Sequence, residues 1–101
     1  MRRIINGIAY DTEKAAELVS VAASIDKGDH AYWEETLYRT PRNSYFLAGR
    51  GGPKTTWAER FGNSRSAGSG LRALTESEAR EWVERWANEK YEAIFGPVTE
   101  T

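Results

Sequence analysis

The sequence has no cysteine and a single histidine, His30, in 101 residues. Without thiols there is no disulfide framework, no thiolate metal site and no thiol nucleophile. With one imidazole, a metal site of several histidines is excluded, and a Ser-His-Asp triad would have to be built around His30. His30 stands beside the turn Lys27-Gly28-Asp29 and is expected to be an exposed loop residue. No run of about 18 apolar residues is present, and no basic start leads into an apolar signal core. Neither a membrane span nor a secretory signal is therefore expected, and the cytoplasm is the expected compartment.

What is present suffices for one core. Hydrophobic residues make up 40% of the chain and aromatic residues 12%, with four Trp, five Tyr and three Phe. That content predicts a single folded domain over 1–101, ordered over about 2–96. The net charge of −1 hides a segregation: residues 1–32 carry −1, residues 33–74 carry +4 and residues 75–101 carry −4. A basic centre beside an acidic C-terminal segment gives two electrostatic faces.

Residues 3–10 place Asn6-Gly7 between two short apolar stretches, the pattern of a hairpin with a type I′ turn. Asp11 is placed to cap a helix over about 12–24, with Ala15, Leu18, Val19 and Ala22 on one stripe. Residues 32–39 and 44–48 read as a second hairpin around Thr40-Pro41-Arg42-Asn43. Gly49-Arg50-Gly51-Gly52-Pro53 is expected to end the ladder. Residues 54–61 read as one or two helical turns and 62–70 as a polar loop, with a last strand over 71–74. Thr75 and Glu78 form a capping box, with Leu74 and Ala79 as a hydrophobic staple. Ala79, Trp82, Val83, Trp86, Lys90 and Ile94 then mark a second helix closed by Gly96-Pro97. The expected fold is α+β: an antiparallel sheet of about four or five strands packed against two main helices, with a short helical segment in the central loop region.

The chemistry is mostly negative. Gly49 to Thr55 fails as a phosphate loop, because Ala48 and Pro53 occupy the positions that need glycine. Glu34 and Glu35 are adjacent in a predicted strand, so they point to opposite faces and cannot act together. One of them is expected near the core or beside a basic partner, such as Arg39 or an arginine of the following loop. Glu76 and Glu81 stand four residues before Arg80 and Arg85, the spacing of a solvated, ion-paired helix face. No catalytic residue, metal or cofactor is expected. Trp82 and Trp86 are assigned to packing, and Trp57 first to a plug beneath the loops, with stacking on bases or anchoring a protein interface as alternatives.

The fragments at 6–15, 35–40 (Glu-Thr-Leu-Tyr-Arg-Thr), 45–49, 51–53, 57–59, 62–64 and 74–76 together resemble a family of small proteins carried by bacterial phages, plasmids and other mobile elements. Ile8 departs from it where a basic residue is usual, and Arg50 where an acid is usual. The family is similar to proteins grouped with anti-CRISPR inhibitors. The resemblance implies a non-enzymatic inhibitor that binds a host defence protein, such as a CRISPR–Cas effector subunit, inside the bacterial cell. Arg50, Lys54, Trp57, Arg60 and Arg65 are the expected contact residues, and Glu81, Glu84 and Glu89 a second candidate face. The alternative is a nucleic-acid-binding or regulatory module that sets Arg42, Arg50, Lys54, Arg60, Arg65 and Arg72 against phosphates.

Overall fold

Asn6 and Gly7 both take positive φ, 51° and 77°, the backbone whose twist matches paired strands. They join β1 (Arg2–Ile5) to β2 (Ile8–Asp11) in the expected hairpin, with Ile5 opposite Ile8. The computed structural model describes residues 1–23, 26 and 28–101.

The expected first helix is a strand. β3 (Ala16–Ala22) pairs antiparallel with β4 (Trp33–Arg39). Asp11 caps no helix: its Oδ1 accepts the Glu13 N–H at 2.9 Å, which closes an Asx turn. The register shifts between Glu17 and Val19, so the bulge lets Leu18 join Val19 and Val21 against one core. Adjacent apolar residues on one side imitate helical spacing, while β-branched Val19 and Val21 suit a pleated surface. Ser24, where the helix was expected to end, and Lys27 of the expected turn lie outside the described residues.

β4 and β5 (Tyr45–Gly51) form the expected second hairpin, with Asn43 at φ 63° in its turn. β5 continues through Gly49 and Gly51, past the point where the ladder was expected to stop. The segment expected to be helical is a run of turns leading into β6 (Glu59–Phe61). The expected polar loop holds β7 (Ser64–Ser66), paired with β6, and then the start of β8 (Gly68–Leu74). β8 pairs with β5, which completes a four-stranded antiparallel sheet of order β3-β4-β5-β8.

Of the two main helices expected, only the C-terminal one forms, and it is divided. In α1 (Glu76–Trp86) the Glu78 N–H donates to Thr75 Oγ1 at 3.1 Å and the Thr75 N–H to Glu78 Oε1 at 2.8 Å, the expected capping box. At Ala87 the backbone leaves helical space, with φ −145° and ψ 48°. A 3-10 turn (Asn88–Lys90) then leads into α2 (Tyr91–Phe95), which Gly96 closes at φ 93°.

Side chains alternate across the sheet and divide the core in two. On one face Leu37, Tyr45 and Leu47 meet Ala79, Trp82 and Val83 of α1, with Tyr91, Ile94 and Phe95 of α2 packed alongside. On the other, Phe46 and Leu71 meet Tyr10 of the N-terminal hairpin. Phe46, Leu37 and Val83 are fully buried, and each such side chain contributes about 1.5–3 kcal/mol by leaving water.

Candidate functional site: a tryptophan cleft

The helix-facing side of β5 and β8 carries a floor of glycine. Gly49 lies opposite Gly70, and Gly51 opposite Gly68. The segment 52–58 folds back over this floor. It is pinned by the Gly52 N–H to the Tyr32 carbonyl at 2.8 Å and the Lys54 N–H to the His30 carbonyl at 2.9 Å. Thr55 Oγ1 donates to the Gly52 carbonyl at 2.8 Å, and Arg65 Nη2 donates to the Thr55 carbonyl at 3.2 Å. A Cβ on Gly49 would stand 2.3 Å from the Trp57 ring, and one on Gly68 2.1 Å from the Trp57 carbonyl. The glycines are there because the loop and its indole lie directly on the sheet.

Glu35 stands opposite Gly49 in the register, so the indole lying on Gly49 reaches it. Trp57 Nε1 donates to Glu35 Oε2 at 2.8 Å, and Trp82 Nε1, from α1, donates to Glu35 Oε1 at 2.8 Å. Arg72 Nη2 lies 3.9 Å from Glu35 Oε2, with the Arg72 guanidinium 4.7 Å from the Trp57 ring centroid. One carboxylate, its side chain only 12% exposed, thus ties together strand, loop and helix. Charge-assisted hydrogen bonds at both oxygens offset the desolvation of the charge.

These groups wall an open cleft of about 590 Å³. All four tryptophans line it, together with Glu35 and Glu78 and the cations Lys54, Arg72 and Arg85. Trp33 and Trp86 meet edge to face at 4.9 Å, and Arg85 lies 4.9 Å from the Trp86 ring centroid. Trp86 remains 43% exposed while Trp82 is buried. Among the described residues neither Lys54 nor Arg85 forms a salt bridge.

Glu34 and Glu35 do point to opposite faces. Away from the cleft Arg50 pairs with Glu34 Oε1, and Tyr32 donates to Glu34 Oε2 at 2.6 Å. That hydrogen bond, and then burial, raise the Tyr32 phenol above its ordinary pKa. The basic partners found are Arg50 and Arg72 of the strands. Of the expected contact residues, only Lys54 and Trp57 line the cleft. Arg50 extends from the other face of β5, and Arg60 and Arg65 oppose each other across the β6–β7 hairpin. Glu81, Glu84 and Glu89 are exposed. Arg80 pairs with Glu76 at 3.2 Å as its spacing implied, whereas Arg85 lies over Trp86 instead of pairing with Glu81. Arg42 belongs to the β4–β5 turn on the opposite side, beside Arg2 and Lys14.

Sequence reasoning missed Trp33, Arg85 and Trp86 as members of one site. The available signal was the spacing of Gly49 with Gly51 and Gly68 with Gly70, two residues apart in each case. That period places four missing side chains on one face of two strands and marks where something lies on the sheet.

Chemically the cleft offers apolar surface, indole edges and positive charge. Both oxygens of Glu35 are engaged, and His30 is exposed outside the lining. Among the described residues no group of three or more His, Asp or Glu side chains is placed to hold a metal ion, and no helix is long and apolar enough to cross a membrane.

No protein-family model, curated protein or solved structure matches the chain.

Proposed function

We propose that this chain is a non-enzymatic protein-binding domain that engages its partner through the tryptophan cleft and acts by occupancy rather than by chemistry. The observation that carries this reading is the convergence of all four tryptophans on one open cleft, with Lys54 and Arg85 forming no salt bridge among the described residues. Tryptophan and arginine are the residues that most often dominate protein interfaces, and a rigid pocket lowers the ordering cost of binding. The resemblance to mobile-element proteins gives the biological form: a stoichiometric inhibitor of a host defence protein, with a CRISPR–Cas effector subunit as the first target to try. A face of about 800 Å² per partner is enough for tight binding without catalysis.

Nucleic acid is the weaker reading, because strand binding needs open ring faces for stacking. Trp57 lies against Gly49 and beside the Arg72 guanidinium, Trp82 is buried and Trp33 meets Trp86 edge to face, which leaves Trp86, 43% exposed, as a single ring and not a row of stacking faces.

The test is capture of partners by the tagged protein from lysates encoding different CRISPR–Cas systems, with and without nuclease, beside the Trp86→Ala variant. A Cas subunit that survives nuclease treatment and is lost with Trp86→Ala is the expected result. Recovery of nucleic acid alone, released by nuclease or salt, overturns the reading.

A further inference from the structure

We propose that the cleft receives an acidic segment of its protein partner, with one apolar or aromatic side chain of that segment seated against Trp86 and carboxylates on either side of it paired to Lys54 and Arg85. This rests on the reading of the chain as a protein-binding domain and names the chemistry of what it binds.

The charges of the lining are unequally committed. Glu35 has given both oxygens to indole N–H groups, and Glu78 accepts from the Thr75 backbone. Arg72 is held by Glu35, by the Trp57 ring and by Thr56 Oγ1 at 3.5 Å. Lys54 and Arg85 are both exposed and have no salt bridge among the described residues, and Arg85 lies 4.9 Å from the Trp86 ring centroid. They come from different elements, the loop over the sheet and α1, so the cleft has a cation on each. The lining carries three cations, Lys54, Arg72 and Arg85, against two carboxylates, Glu35 and Glu78, so its net charge is positive and its complement is anionic.

Size and apolar content narrow the class. A volume of about 590 Å³ falls in the range of sites that enclose a compact group, roughly 300–1,000 Å³. It takes a side chain or two of a segment rather than a folded surface. Trp86, 43% exposed, supplies the apolar seat. Lys54 and Arg85 together would neutralise about two phosphates, too few to track a polynucleotide.

The experiment uses tryptophan emission of the intact protein, since every tryptophan lines the cleft and reports an occupant. The probes are an end-blocked pentapeptide with a central phenylalanine flanked by aspartate and glutamate, its counterpart with those acids replaced by asparagine and glutamine, and a short oligothymidylate. A saturable emission change with the acidic peptide is expected. Affinity should fall at least about tenfold, or about 1.4 kcal/mol, for the amide peptide and for the Lys54→Glu/Arg85→Glu variant. Both positions are exposed, and an unchanged urea midpoint shows that the variant is folded; Trp86→Leu serves as a second variant if it is not.

No saturable change, equal binding of the amide peptide, equal binding by the folded charge-reversed variant, or tighter binding of oligothymidylate each overturns the proposal. If the acidic peptide fails while lysate capture still depends on Trp86, the acidic assignment falls and the protein-binding reading stands. If capture does not depend on Trp86, the cleft reading falls with it.

Discussion

The two faces of the central sheet are covered in different ways. On the hairpin side, Tyr10 meets Phe46 edge to face at 5.5 Å and Tyr38 stacks on Phe46 at 5.1 Å. Phe46 is sealed from water by these rings together with Leu71 and smaller apolar side chains, and among the described residues no ion pair lies in that cluster. On the helix side, a charged carboxylate sits between two indoles, and the seam between α1 and the loop over β5 opens as a cleft. Apolar contact is non-directional and closes whatever surface is offered. A carboxylate with fixed donors holds three elements at set positions and leaves space between them. The apolar cluster under the hairpin closes on itself, with a second cleft of about 520 Å³ at its edge beside Ile8, Tyr10 and Arg42, whereas the helix side holds its walls apart around the tryptophans.

The largest effect should come from breaking the closed face. Phe46→Ala is expected to destabilise the fold by about 3–5 kcal/mol, read from urea unfolding. The open face should depend on Glu35 instead. Glu35→Leu leaves two part-buried indole donors without an acceptor, each at the low end of about 1–3 kcal/mol, and should shift tryptophan emission as Trp57 and Trp82 move. Phe46→Ala should not produce that shift while the protein remains folded. A smaller loss is expected for Gly49→Ala, where the added methyl meets the Trp57 ring; overpacking of this kind destabilises by about 1–3 kcal/mol. Its effect should be small in a Trp57→Ala background, a coupling that a double-mutant cycle measures.

The smallest effect tests the Tyr32–Glu34–Arg50 cluster. The Tyr32 phenol has a folded-state pKa above 10.0, first because it donates to Glu34 and then because it is desolvated. The folded state therefore holds that proton more firmly than the unfolded state. Its contribution is complete below pH 10.0 and is lost as pH rises through the folded value. Tyr32→Phe should flatten this alkaline loss, seen as urea midpoints that change less across pH 10.

What could be read from the chain follows from how local each signal is. Asn6-Gly7, the Thr40 to Asn43 turn and the Thr75/Glu78 box carry their instructions within four residues, and all three form as expected. β3 failed because its spacing was ambiguous: a bulge beside Glu17 put Leu18 and Val19 on one side, and only pairing with β4 decides between strand and helix. The break at Ala87 and the glycine floor were hidden for a related reason. Glycine reads as a turn signal along the chain, whereas Gly49 and Gly68 are glycine because Trp57 arrives from another segment. The cleft itself joins residues of β4, β8, α1 and a loop. Sequence reasoning found Lys54 and Trp57 but assigned them to a basic loop with Arg50, whose side chain leaves from the other face of β5.

The most direct test of the account is a side-by-side capture experiment on the two faces. Trp86→Ala and Arg85→Glu alter the cleft, while Ile8→Ser and Arg42→Glu alter exposed positions beside the N-terminal hairpin, all in protein shown to be folded. The account predicts that the nuclease-resistant partner is lost with the first pair and kept with the second. Retention with the first pair and loss with the second would contradict it, and would place the binding surface at the cleft beside the hairpin that Ile8 and Arg42 line.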